Sequence, residues 1–109
     1  MKVVFYEASS GRSPIEDFIR DLSKKDKARV IDVIKGLEQY GLDCPRVIFK
    51  PLRGKLWEIK FNSTEGSYRI AYVIIAKDSM VWLHVFKKKT QKTQISDIEL
   101  AEKRMKEVL

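Results

Sequence analysis

The sequence predicts a single α+β domain spanning residues 1–109, on three observations. A chain of this length with 44% apolar residues can bury one core and is too short for two. Two runs at helical spacing, each preceded by a capping serine, lie in the first half. Three runs rich in β-branched and aromatic residues, separated by turn signals, fill most of the second half before a last helical run.

In chain order, KVVFYE (Lys2 to Glu7) reads as a short strand and ASSGR as the turn after it. SPIE then supplies Ser13 as N-cap, Pro14 at the first helical position and Glu16 to close a capping box, which predicts a helix to about Leu22. Ser23 caps a second helix. In it Ala28, Ile31, Ile34 and Leu37 recur at helical spacing up to Tyr40, where Gly41 offers a left-handed stop. The two helices form a hairpin whose apolar stripe covers one sheet face. LDCPRVIFKPLRGK, punctuated by Pro45, Pro51 and Gly54, reads as a loop or linker. LWEIKF alternates as a half-buried strand does, with Trp57, Ile59 and Phe61 on one face and Leu56, Glu58 and Lys60 on the other. NSTEGS is a hairpin loop. YRIAYVIIA is apolar on both faces apart from Arg69, which predicts a central strand. KDS turns the chain into MVWLHVF, and Ser96 with Glu99 caps a final helix to about Val108. The expected order is β-α-α-β-β-β-α around an antiparallel-rich sheet.

Several functions are excluded early. Cys44 is the only cysteine, so no internal disulfide forms. There is no glycine-rich phosphate loop, no pair of Cys or His at metal spacing, and no nucleophile–histidine–acid set that His84, the one histidine, would complete. Neither a metal nor a cofactor is expected. No basic-then-apolar leader precedes the first strand and no run approaches the ~20 apolar residues a membrane helix needs. A reducing cytoplasm is the expected compartment, with no membrane partner.

Charge is more informative. The net charge is +7. Residues 1–45 balance at 8 Lys/Arg against 8 Asp/Glu, residues 46–93 carry 11 against 3, and residues 94–109 carry 3 against 4. The whole excess is in the middle block, which points to a polyanion-binding face, whereas charge serving solubility need not be segregated. Lysines that blunt exposed strands would leave a similar signature. The block contains Lys60, Arg69 and, where MVWLHVF ends, Lys87, Lys88, Lys89 and Lys92. A three-strand meander brings these onto neighbouring strands, so they converge at one side of the sheet. Cations on a sheet beside exposed rings suit RNA. Tyr68, Tyr72 and Trp57 are the aromatic candidates, although the alternation of YRIAY sets both tyrosines on the face opposite Arg69. Arg69 could instead pair with Glu58 across the hairpin, Trp57 could belong to the core, and His84 could be a packed histidine among Met80, Trp82 and Phe86; both readings of each stay open at this point.

KPLRGKLWEIKF, GSYRIAYVI and VWLHVFKKKTQKT, followed by IELAEKRMKEVL, together resemble the phage-derived HigB-like toxins of the RelE/ParE toxin superfamily, over about Lys50 to Lys103. The resemblance implies an endoribonuclease that cuts mRNA on the translating ribosome without a metal. It also implies a cognate antitoxin, commonly a helix-turn-helix protein, through which alone DNA would be contacted. Cleavage in that family uses the substrate's 2′-hydroxyl against the adjacent phosphate. Carried over by position, the resemblance implies that Lys60, Arg69 and Lys88 act on the reacting phosphate; on that reading Arg53, Lys55, Lys87, Lys89 and Lys92 are the cations expected to hold RNA or ribosome. Glu58 stands where relatives carry a second basic residue, and Gln94 stands about where some carry a tyrosine, so the general base falls to Glu58, His84 or a lysine of depressed pKa. A ParE-like gyrase inhibitor, or a nuclease-inactive binding module, is the alternative on the same fold.

Overall fold

In a computed structural model that describes residues 1–109, the chain runs through β1 (Lys2–Phe5), α1 (Pro14–Arg20), α2 (Lys24–Tyr40), a 3-10 turn (Gly41–Asp43), β2 (Ile48–Arg53), β3 (Leu56–Ser63), β4 (Gly66–Ile75), β5 (Ser79–Lys87) and α3 (Ile95–Val108). The strands form one sheet in the order β1-β5-β4-β3-β2. β1 runs parallel to β5, and the other neighbours are antiparallel. This is the expected α+β architecture, with the strand around Arg69 at its centre.

The caps explain the helical hairpin. Ser13 accepts from the Glu16 amide at 3.2 Å and Ser23 from the Asp26 amide at 3.2 Å, each satisfying a donor left free by the first helical turn. Gly41 ends α2 at φ 59°, where a side chain would be strained.

Both sheet faces are covered. On one, Ile15 of α1 and Val30, Val33 and Leu37 of α2 pack on Ile59, Phe61, Ile70, Tyr72, Met80 and Trp82. On the other, Ala101 of α3, with Ile98 and Met105, packs on Leu56, Ala71, Val73, Val81 and Leu83. This second cover corrects the reading of LWEIKF as half-buried: Leu56 and Glu58 lie inside, under α3 and the segment leading to it.

Four further expectations change. The supposed loop LDCPRVIFKPLRGK contains β2, an edge strand whose Pro51 is tolerated because an edge residue needs no donor on its outer side. The α2 stripe is rotated: Val30 and Val33 face the core, whereas Ala28 and Ile31 are exposed, because the helix docks through the row that reaches the sheet. α3 begins at Ile95, with Gln94 in the cap position and no side-chain cap bond, so Ser96 and Glu99 lie within the helix. His84 does not share a face with Trp82, since a bulge pairs Ala71 with His84 but Tyr72 with Trp82. The extra residue turns both Leu83 and His84 toward α3.

Candidate functional site

The register of the central strands decides which cations meet. Lys60 lies opposite Arg69, and Arg69 opposite Phe86. Opposed residues share a face, so Lys60 and Arg69 are on the α3 side. There β5 ends, with the Lys88 amide still donating to the Ser67 carbonyl at 2.8 Å. Residues 88–94 then form a strap across this end of the sheet before α3 starts.

The strap answers for the burial of Arg69, which is 2% exposed. Arg69 Nη1 donates to Thr93 Oγ1 at 2.9 Å, and Nη2 donates to the Thr90 carbonyl at 3.1 Å and to the Gln91 carbonyl. Thr93 Oγ1 in turn donates to Glu58 Oε2 at 2.6 Å. Arg69 and Glu58 therefore do not form the cross-hairpin ion pair that spacing allowed. Glu58 lies opposite Ala71, two residues along, and the Thr93 hydroxyl fills the gap. Arg69 Nε is buried with no partner, and a donor left so costs about 1–3 kcal/mol.

Two cavities open beside this cluster, and Arg69 lines both. The smaller, 240 Å³, is walled by Arg46, Lys60, Arg69 and Lys88 and has no carboxylate in its lining. The larger, 390 Å³, is walled by Arg69, Lys87, Lys89 and Lys92, with Asp97 as its one acid. None of Arg46, Lys60, Lys87, Lys88, Lys89 or Lys92 joins a salt bridge. Cations gathered around one concavity without counter-charge repel one another, and an anion placed between them relieves that repulsion. Gly66 assists: its φ is 152°, and a Cβ there would lie 2.6 Å from Lys87 Cε, so glycine lets the lysine stem cross the hairpin.

The other sequence candidates are placed elsewhere. Arg53 bonds Glu102 at 2.7 Å, and Lys55 follows in the β2–β3 turn. Both are at the far end of β3 from Lys60, about 13 Å along the strand at the usual rise, and they line neither cavity. His84 Nε2 is 2.8 Å from Asp97 Oδ1, and its ring stacks on Phe86 at 4.7 Å. Burial lowers its pKa, against the opposing bond to Asp97. It lines no cavity and ties β5 to α3. Tyr68 and Tyr72 are buried under the helical hairpin, as their alternation against Arg69 predicted, and burial pushes both hydroxyls up to about 12. Trp57 opposes Tyr72 on that same face. Tyr68 borders the smaller cavity but is only 3% exposed, and Tyr72 and Trp57 line neither, so none of the three offers an open ring beside the cations.

Two residues escaped the sequence reading. Thr93 sits inside the lysine-rich motif but carries no charge to single it out. Arg46 lies in the segment taken for a linker; it adopts φ 63°, with its carbonyl held by Arg29 Nη2 at 3.0 Å while Arg29 Nε holds the Asn62 carbonyl at 3.1 Å. Arg29 thus pins the Arg46 turn to the β3–β4 hairpin.

The chain holds no helix long and apolar enough to cross a membrane. No curated protein matches the chain. A family model does, the one described as "Phage derived protein Gp49-like (DUF891)", over residues 17–106, which include the whole cationic site. The chain therefore belongs to the phage-derived Gp49-like family, a family of RelE-like, toxin-like proteins for which an antitoxin is the partner to look for.

Proposed function

We propose that this protein is the toxin of a toxin–antitoxin pair and acts as a HigB-like mRNA interferase, cutting mRNA on the translating ribosome. The observation that carries the reading is the carboxylate-free cavity shared by Arg46, Lys60, Arg69 and Lys88. Family membership supports a toxin; the concentrated positive charge supports a phosphodiester as its target.

The chemistry this cluster suits is transesterification within the RNA. The substrate's 2′-oxygen loses its proton and bonds to the adjacent phosphorus, the bond from phosphorus to the 5′-oxygen breaks, and that oxygen takes up a proton. The products are a 2′,3′-cyclic phosphate and a 5′-hydroxyl. Charge accumulates on the phosphorane, where Lys60, Lys88 and Arg69 stabilise it, each on the order of 10²- to 10³-fold when well placed. A lysine ammonium also supplies the proton for the leaving oxygen. Glu58, on the same sheet face as Arg69 and joined to it through the Thr93 hydroxyl, is the group to accept the 2′-proton, whereas His84 is engaged with Asp97.

The test is 5′-end mapping of a reporter mRNA in a purified translation system, with and without ribosomes. New 5′-hydroxyl ends that need both ribosomes and Arg69 are expected. Intact mRNA in that system, from a protein that halts growth when expressed in cells, would overturn the reading and turn attention to gyrase, the target of ParE-like inhibitors.

A further inference from the structure

The residue best placed to stabilise a phosphorane has, in the free protein, both of its terminal nitrogens taken up by its own chain. Three oxygens surround the Arg69 guanidinium: the Thr90 and Gln91 carbonyls and the Thr93 hydroxyl. We infer that residues 90–93 are an internal occupant of a phosphodiester site, and that RNA takes the site by displacing them. The inference deepens the nuclease reading and rests on it for the class of ligand.

Four observations carry it. First, the strap is held by little else: Lys87 to Gln94 contains no apolar residue, so no buried side chain anchors it to either core. Its internal bonds, Thr90 Oγ1 to the Lys92 carbonyl at 2.5 Å and Lys88 Nζ to Gln91 Oε1 at 3.4 Å, stay within the segment and move with it. Second, the fit to Arg69 is incomplete. Nε is buried without a partner, whereas a phosphate approaching side-on would engage Nε and Nη2 together through two charge-assisted bonds, each about twice as strong as a neutral one. Third, the strap carries its own attractant, since Lys88, Lys89 and Lys92 have no acidic partner and border the two cavities. A polyanion that draws these lysines outward pulls on the oxygens covering Arg69. Fourth, one movement unmasks both reacting groups: when Thr93 leaves, Arg69 Nη1 and Glu58 Oε2 are freed together. The free protein is thereby held inactive until a phosphate-rich surface opens it.

Backbone ¹⁵N relaxation on the full chain tests this, in the free protein, with a short 2′-O-methyl oligoribonucleotide that offers no 2′-hydroxyl, and with inorganic phosphate. On oligonucleotide binding, order parameters at residues 89–94 are expected to fall from about 0.85, the range of rigid backbone, to below about 0.6 while β4 stays unchanged. In Thr93→Val, which removes the shared hydroxyl at nearly constant volume, the fall is expected without ligand. Oligonucleotide affinity should then tighten by the factor by which the open fraction grows. If the oligonucleotide binds and residues 89–94 stay as rigid as before, the strap is not an occupant and the inference falls, while the nuclease reading stands. Absence of oligonucleotide binding leaves the ribosome-dependent nuclease reading to the 5′-end mapping above, and the phosphate arm then decides the inference alone: saturable opening of 89–94 by phosphate upholds a masked anion site, and no response overturns it.

Discussion

Asp26 and Arg69 are buried to almost the same degree, at 0% and 2% exposure, and the fold treats them in opposite ways. Asp26, in the first turn of α2, accepts from Ser63 Oγ, from the Tyr68 hydroxyl and from the Glu65 amide, donors that all belong to the β3–β4 hairpin. The bonds from Ser63 and Tyr68 hold its carboxyl below the usual range, and the helix N-terminus favours the same charge. Arg69 draws its partners from a strap with no apolar anchor, shares one of them with Glu58, and keeps a donor unmatched. A buried charge satisfied by packed elements is structure, because its removal strands those elements. A buried charge satisfied by a detachable segment, with free cations around it, is a site waiting for another partner.

Removing each charge in turn separates the two roles. Arg69→Ala is expected to lower mRNA cleavage on the order of 10²- to 10³-fold and to abolish growth arrest, while the thermal midpoint shows the domain still folded. Asp26→Ala is expected to do the reverse. It strands the buried Tyr68 hydroxyl and two further donors, which costs about 2–4 kcal/mol of stability in chemical denaturation, yet leaves cleavage per folded molecule unchanged.

A smaller contrast separates the two ends of β3. Lys60→Ala and Lys88→Ala should each weaken cleavage by about tenfold or more and flatten its salt dependence, as expected for lost phosphate contacts. Arg53→Ala and Lys55→Ala, at the end remote from the cavities, should change activity little and stability by within about 0.5 kcal/mol. Kinetics at several salt concentrations distinguish the groups.

The smallest effect is in pH. The His84 pKa is lowered from 6.5 in the folded protein, chiefly by burial. Above 6.5 both states are neutral there and its contribution is complete. As pH falls below 6.5 the unfolded chain binds the proton first, so stability declines until the folded pKa is passed. His84→Gln should remove that part of the slope in a stability profile. Asp26, also lowered, adds a second loss of the same sign below its ordinary value of 3.8.

Much of this was legible in sequence because the signals are local. Ser13, Ser23 and Gly41 announce the helical hairpin by chemistry that acts within four residues, and the two-sided apolar run around Arg69 announces a central strand. The convergence of Lys60, Arg69 and Lys88 followed once the strands were taken as a meander, and all three line one cavity. β2 stayed hidden because Pro45, Pro51 and Gly54 punctuate it as they would a loop, and only pairing with β3 makes it a strand. The bulge that sends His84 toward α3 is a property of two strands together. The role of Thr93 depends on the path of the strap over Arg69, a tertiary fact with no local code.

The most direct measurement compares wild type, Arg69→Ala and Asp26→Ala side by side, mapping 5′ ends on a translated reporter mRNA at a temperature where melting curves show all three folded. Wild type and Asp26→Ala are expected to cut at matching positions, and Arg69→Ala to cut there on the order of 10²- to 10³-fold less. Undiminished cleavage by folded Arg69→Ala would contradict this account, because the buried arginine would then be a second structural charge.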